Sequence, residues 1–174
     1  MVAPPSKLYT VYTVLFHKDG GANVVVTNCM SHFSMFVPTK APVKLANGNT
    51  GHAQGIGIIL CRFPNCSIIY PVVPVYYCTC HPSNTISSVA LKFYIGFKKV
   101  KSEPLAHCDF VDPQVGSWRS LHQTRNNLDY LQLEIVKINP QETRILLSQL
   151  YVEFQNKLSL NLFISVLVMC ISPD

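Results

Sequence analysis

The feature that most constrains the fold is the stretch Leu15-Phe16-His17-Lys18-Asp19-Gly20-Gly21-Ala22-Asn23. The β-branched, apolar run Leu8 to Phe16 leads into it, and Val24-Val25-Val26 follows. Strand, tight turn, strand is the expected outcome. β-branched residues suit a pleated backbone, and glycine permits the conformations and close approaches that a turn needs. Asp19 is thereby carried to the end of a strand, on a turn small enough to press against a copy of itself. Asp-Gly between two hydrophobic runs is also a β-hairpin signal, and Asp favours such turns through its own side-chain hydrogen bond. Local sequence alone favours the hairpin; an acid held on a site turn is the other reading.

The chain can bury a core. It has 174 residues, 48% of them hydrophobic and 13% charged, about half the usual ~25% charged fraction. That composition excludes a disordered chain. Twelve prolines among frequent β-branched and aromatic residues predict short strands between turns. The net charge of +5 is spread out, and its one cluster, Lys98-Lys99-Val100-Lys101, reads as a solvated linker. No specific nucleic-acid partner is expected. Met1 to Thr10 lacks the apolar core of a secretory signal, so a cytoplasmic chain is expected, its seven cysteines being free thiols. Leu158 to Ser172 is apolar but includes Asn161 and falls short of the ~20 residues that span a bilayer.

Along the chain, residues 1–7 read as an arm, and 8–16 and 24–27 as strands. Ala46-Asn47-Gly48-Asn49-Thr50-Gly51-His52 is the clearest turn, with the Asn-Gly signature of a hairpin, flanked by Val43 and Leu45 before and Ile56 to Leu60 after. Ser67 to Tyr77 is β-rich, and Pro71 and Pro74 predict an edge strand there. Residues 86–97 read as a strand or a short helix. Lys98 to Arg125 reads as loop. Tyr130 to Ile135 alternates and predicts a strand. Asn139-Pro140-Gln141-Glu142 is a helix start, with Asn as N-cap and Pro in the first turn. Leu146, Leu147, Leu150, Tyr151, Phe154 and Leu158 then share one helical stripe.

Four chemistries are open to these residues. Cys61, Cys66, Cys78, Cys80 and His81 are soft ligands close in sequence, but their C-x4-C and C-x-C-H spacings suit a zinc site poorly. Buried free cysteines are the better reading, and no metal or cofactor is expected. Cys29 with His32, or with another His, could form a nucleophilic dyad only if geometry allows it. Trp118 near Arg119 and Arg125 could stack on a base, although one Trp is thin support.

The fourth chemistry is that of Asp19. Asp19-Gly20-Gly21-Ala22, the hairpin Ala46 to Gly57, and Asn84-Thr85-Ile86-Ser87-Ser88-Val89-Ala90-Leu91 follow one another as in the retropepsin-like aspartic proteases. The last segment resembles the N-L-[LI]-S-V-x-x-L stretch of copia-type retrotransposon polyproteins. Asn47-Gly48 and Gln54-Gly55-Ile56-Gly57 resemble the flap hairpin of that family. The resemblance covers residues 8–97. It implies catalysis through Asp19, Gly20 and Gly21, with Ala22, Asn47, Gly48, Asn49 and Gly51 contacting a peptide or polyprotein substrate. In such enzymes two carboxylates about 3 Å apart share one proton; one activates water and the other protonates the leaving group. A chain with one Asp turn would need a homodimer to supply the second, and the hairpin would close over the peptide.

Two departures stand out. Gly20 replaces the Ser or Thr whose hydroxyl ties the two turns together, and Ile86-Ser87-Ser88 replaces an apolar-apolar-Gly turn. The expectation is therefore a mainly β protein: a small closed or nearly closed barrel of retropepsin-like type over 8–97, a loop-rich segment with one strand over 98–138, and a C-terminal helix with apolar tail over 139–172. Its expected function is a dimeric aspartic protease-like domain, weakened or inactive where the dyad is loose. The alternative is a non-enzymatic β-rich interaction module or retroelement fragment whose C-terminal helix binds a partner or a membrane surface.

Overall fold

A computed structural model describes residues 10–19, 21–44, 49–64, 66–89, 91, 98–102, 107–112, 116–118, 121–123 and 128–154, with side chains described through residue 91 and over 130–149. The strands are β1 (Thr10–Asp19), β2 (Val25–Thr27), β3 (Met35–Lys44), β4 (Thr50–Arg62), β5 (Tyr70–Tyr77), β6 (Thr85–Ser87), β7 (Lys98–Ser102), β8 (His107–Asp112), β9 (Gly116–Trp118), β10 (Leu121–Gln123) and β11 (Leu128–Lys137). One helix, α1 (Pro140–Phe154), follows them, and a 3-10 turn spans Met30–His32.

Six strands close into a mixed barrel in the order β11-β1-β6-β2-β5-β4, sealed where β4 meets β11. Pairing is parallel for β1 with β6 and for β2 with β5, and antiparallel elsewhere around the ring. β3 extends the sheet beyond β4, and β10 extends it beyond β11. The mainly β barrel followed by a helix is thus the observed architecture. Its closing strand, however, is β11, which pairs with β1 from Thr10↔Lys137 to His17↔Tyr130. The barrel therefore does not end at residue 97: a strand at 128–137 is part of its wall.

Period-two alternation explains how the strands divide their side chains. Phe16, Val25, Ile59, Cys61, Val72, Ile86, Leu131, Leu133 and Ile135, drawn from all six barrel strands, form one buried cluster, which is the barrel interior. Val11, Ile58, Leu60, Val73 and Val136 point the other way, and α1 covers them with Leu146 and Leu147. The helix begins as its cap predicts. Asn139 Oδ1 accepts the Glu142 N–H at 2.8 Å, and Asn139 O accepts the Thr143 N–H at 2.9 Å. Leu146 and Leu147 occupy the buried side of the stripe; the side chains from Leu150 onward, and the apolar tail, lie outside the described residues. Among the described residues no helix is long and apolar enough to cross a membrane.

Two sequence expectations are overturned. β5 is not an edge strand: it lies between β4 and β2. The prolines are accommodated because β2 reaches only Val75, Tyr76 and Tyr77, leaving the stretch with Pro71 and Pro74 a sheet neighbour on one side only. The Val73–Pro74 bond is cis and sits where the β4–β5 register shifts. The second concerns Lys98 to Arg125, which is not loop throughout. β7, β8 and β9 form a three-stranded antiparallel sheet, and β10 pairs with β11. Strand formation there depends on cross-strand partners, which local composition does not reveal.

Candidate functional site

β1 delivers Asp19 into a junction of three strands. Its last residues run parallel to β6 in the register His17↔Thr85, Lys18↔Ile86 and Asp19↔Ser87, while Val26 of β2 pairs with Thr85 from the other side. β6 thus lies between the two strands that the Asp19 turn connects. β1 and β2 are not hairpin partners, and the local Asp-Gly hairpin signal is overruled by the inserted third strand.

The turn itself is built by side chains. Asp19 is half-buried, and its Oδ1 accepts the Gly21 N–H at 2.7 Å, the side-chain turn that Asp favours. A Cβ at Gly21 would stand 3.4 Å from that oxygen, so glycine keeps one side of the carboxylate open. Ser87 Oγ donates to Ala22 O at 2.5 Å and accepts the Val89 N–H at 3.1 Å. The fully buried Ser87 hydroxyl therefore bolts the chain after Asp19 to the chain after β6. The helical positions Ser88, Val89 and Leu91 follow directly. Gly21 and Ala22 lie beside Asp19 in this turn; Gly20 lies outside the described residues.

Sequence reasoning missed a polar cluster behind this turn. Thr27, fully buried, donates its hydroxyl hydrogen to Asn84 Oδ1 at 2.6 Å. Thr27 Oγ1 also accepts the Cys29 N–H at 3.2 Å and lies 2.8 Å from His32 Nδ1. A hydroxyl has one hydrogen to give, so His32 is the donor in its bond and carries its proton on Nδ1. Asn84 O also accepts the His17 N–H at 2.8 Å, joining β1 to the same knot. The His32 ring packs between Tyr12 and Phe16, at 5.9 and 6.2 Å. Burial and the nearby Lys137 ammonium lower its pKa below the ordinary 6.5. In the sequence Asn84 stood out only as the first residue of the Asn84 to Leu91 segment, and His32 only as a candidate partner for Cys29.

The β3–β4 hairpin is longer than its Asn-Gly tip suggests, running from Met35↔Ile58 to Lys44↔Thr50 with a bulge between Pro38 and Ala41. Asn49 and Gly51 lie toward its far end; Asn47 and Gly48 lie outside the described residues. Gly55 and Gly57 are required for close approach. A Cβ on Gly55 would fall 2.1 Å from the Phe36 ring, and one on Gly57 would fall 2.1 Å from Met35 O. Phe33, Phe36 and Tyr77 stack edge-on over this region, with ring centroids 5.2 to 6.2 Å apart.

The other candidate chemistries fall apart spatially. Cys61 and Cys66 belong to the barrel interior, and Cys78 to a separate small cluster with Val26, Val43 and Ala53. Among the described residues no three His, Cys, Asp or Glu side chains are grouped to hold a metal ion. Cys29 Sγ lies 3.0 Å from Ser31 Oγ, while Nδ1 of His32 is engaged by Thr27. No protein-family model, curated protein or solved structure matches this chain.

Proposed function

We propose that this chain is a retropepsin-like aspartic endopeptidase domain, acting on peptide or polyprotein substrates as a homodimer that pairs two Asp19 carboxylates. The observation that carries the reading is the placement of Asp19. It ends a barrel strand, runs level with Ser87 of a parallel neighbour, and is fixed by the Gly21 N–H. A carboxylate held this way can face its copy across a two-fold axis, where the pair shares one proton and activates water. The long β3–β4 hairpin is the element suited to cover a bound peptide. Gly20 removes a hydroxyl that would brace the dyad, so slow turnover belongs to the proposal.

Asp19→Asn tests it. Asn is nearly isosteric and keeps the side-chain turn, so the fold should survive while peptidase activity disappears. Activity of the unaltered chain should be highest in mild acid, where the dyad holds one proton, and should rise faster than linearly with protein concentration. A peptide-library digest read by mass spectrometry measures both. Cleavage undiminished in Asp19→Asn would end the reading.

A further inference from the structure

We propose that Cys78 and Cys80 form a redox-active dithiol, converted by a low-molecular-weight disulfide into an intraloop disulfide beside β4 of the β3–β4 hairpin. Their sulfurs are 2.7 Å apart. Cys78 is fully buried and Cys80 is exposed, so one sulfur meets solvent and the other waits behind it. Residues two apart on a bent backbone fall within the Cα separation of about 4 to 7 Å that a disulfide needs, and Thr79 and Cys80 lie in a turn.

The loop is held on a rigid frame. The Cys78 N–H donates to Thr27 O at 2.9 Å, and the His81 N–H to Cys78 O at 3.1 Å. Thr79 is clamped to Gln54 of β4 by two hydrogen bonds, its N–H to Gln54 Oε1 at 3.1 Å and Gln54 Nε2 to its Oγ1 at 3.0 Å. Cys78 Sγ itself reaches His52 O at 3.6 Å. The other described thiols are placed differently. Cys61 is enclosed in the barrel, where burial pushes its thiol up to about 12. Cys66 is buried there too, and Cys29 lies against a serine.

The chemistry balances as two exchanges. The Cys80 thiolate attacks one sulfur of oxidised glutathione, forming a mixed disulfide and releasing one glutathione thiolate. Cys78 then loses its proton to solvent and attacks the Cys80 sulfur, expelling the second glutathione thiolate. Two protein thiols are oxidised and one glutathione disulfide is reduced to two thiols. Burial raises the Cys78 pKa, as does the neighbouring Cys80, so the exposed cysteine attacks first. The product removes the thiol hydrogen that Cys78 offers to His52 O, loosening one tie between this loop and β4.

The experiment treats the full chain with limiting oxidised glutathione, alkylates the remaining thiols and digests with chymotrypsin. Cleavage after Tyr77 separates Cys66 from the Cys78–Cys80 fragment. That fragment should lose two hydrogens and escape alkylation before other cysteines react, and dithiothreitol should restore it. Cys80→Ser changes only an exposed side chain and should abolish the disulfide. In Cys78→Ser, glutathione should remain trapped on Cys80. Phenylarsine oxide, which bridges neighbouring thiols, should protect both from alkylation. A lasting glutathione adduct on Cys80 of the unaltered chain would overturn the proposal, as would two unmodified thiols while Cys29 reacts. The readout is independent of peptidase activity.

Discussion

Replacing Thr27 with valine tests the polar knot behind the Asp19 turn. The two side chains are nearly isosteric, so the perturbation is the loss of one hydroxyl from a fully buried position. Three hydrogen bonds go with it, to Asn84 Oδ1, from His32 Nδ1 and from the Cys29 N–H. Asn84 and Cys29 are half-buried, so water can replace their partner. His32 is only 5% exposed, and its ring N–H is left without an acceptor. An orphaned buried donor costs about 1–3 kcal/mol, and the lost Asn84 bond about 1 kcal/mol more. Burying a methyl group returns roughly 0.8 kcal/mol. The net loss is about 2 kcal/mol, or a fall in Tm of roughly 4–8 °C at ~2–4 °C per kcal/mol for a chain of this size. Thr27→Ser is the control. It keeps the hydroxyl, loses a methyl and should cost about 1 kcal/mol. Urea and thermal melts of both variants measure the order. A valine variant as stable as the parent, or more stable than the serine variant, would refute the hydrogen-bond account.

The same histidine sets a pH dependence. Its folded-state pKa is lowered by burial and by Lys137, so the unfolded chain binds the proton more readily. Its contribution is complete above about pH 6.5 and is lost as pH falls through the folded value. Urea midpoints should decline as pH falls below about 6.5, and a His32→Gln variant should flatten that decline. Gly57→Ala places a methyl where Met35 O and the Phe33 ring already stand. We expect a loss of about 2 kcal/mol or more from the forced separation of β3 and β4, measured by chemical denaturation; an unchanged midpoint would show that the strands part freely.

Several elements were legible in the sequence because their causes are local. The Asn139 cap and the stripe through Leu146 and Leu147 specify α1 within a few turns of chain. Tyr130 to Ile135 alternates, and so becomes a wall strand with Leu131, Leu133 and Ile135 inside. The Asp19 turn could also be read, because Asp and glycine act through their own backbone. What the turn connects could not. Local sequence favours a hairpin of β1 with β2, whereas the fold inserts β6 between them, from residues about sixty positions further along. The same holds for β5, whose prolines suggest an edge, and for β11, which closes the barrel from beyond residue 127. The Thr27–Asn84 and Ser87–Ala22 contacts likewise span separate segments. Turn chemistry and helix caps are decided by neighbours in the chain. Strand order and buried polar partners are decided by which distant segments together bury the most apolar surface while satisfying their backbone hydrogen bonds, and only the closed barrel meets both conditions at once.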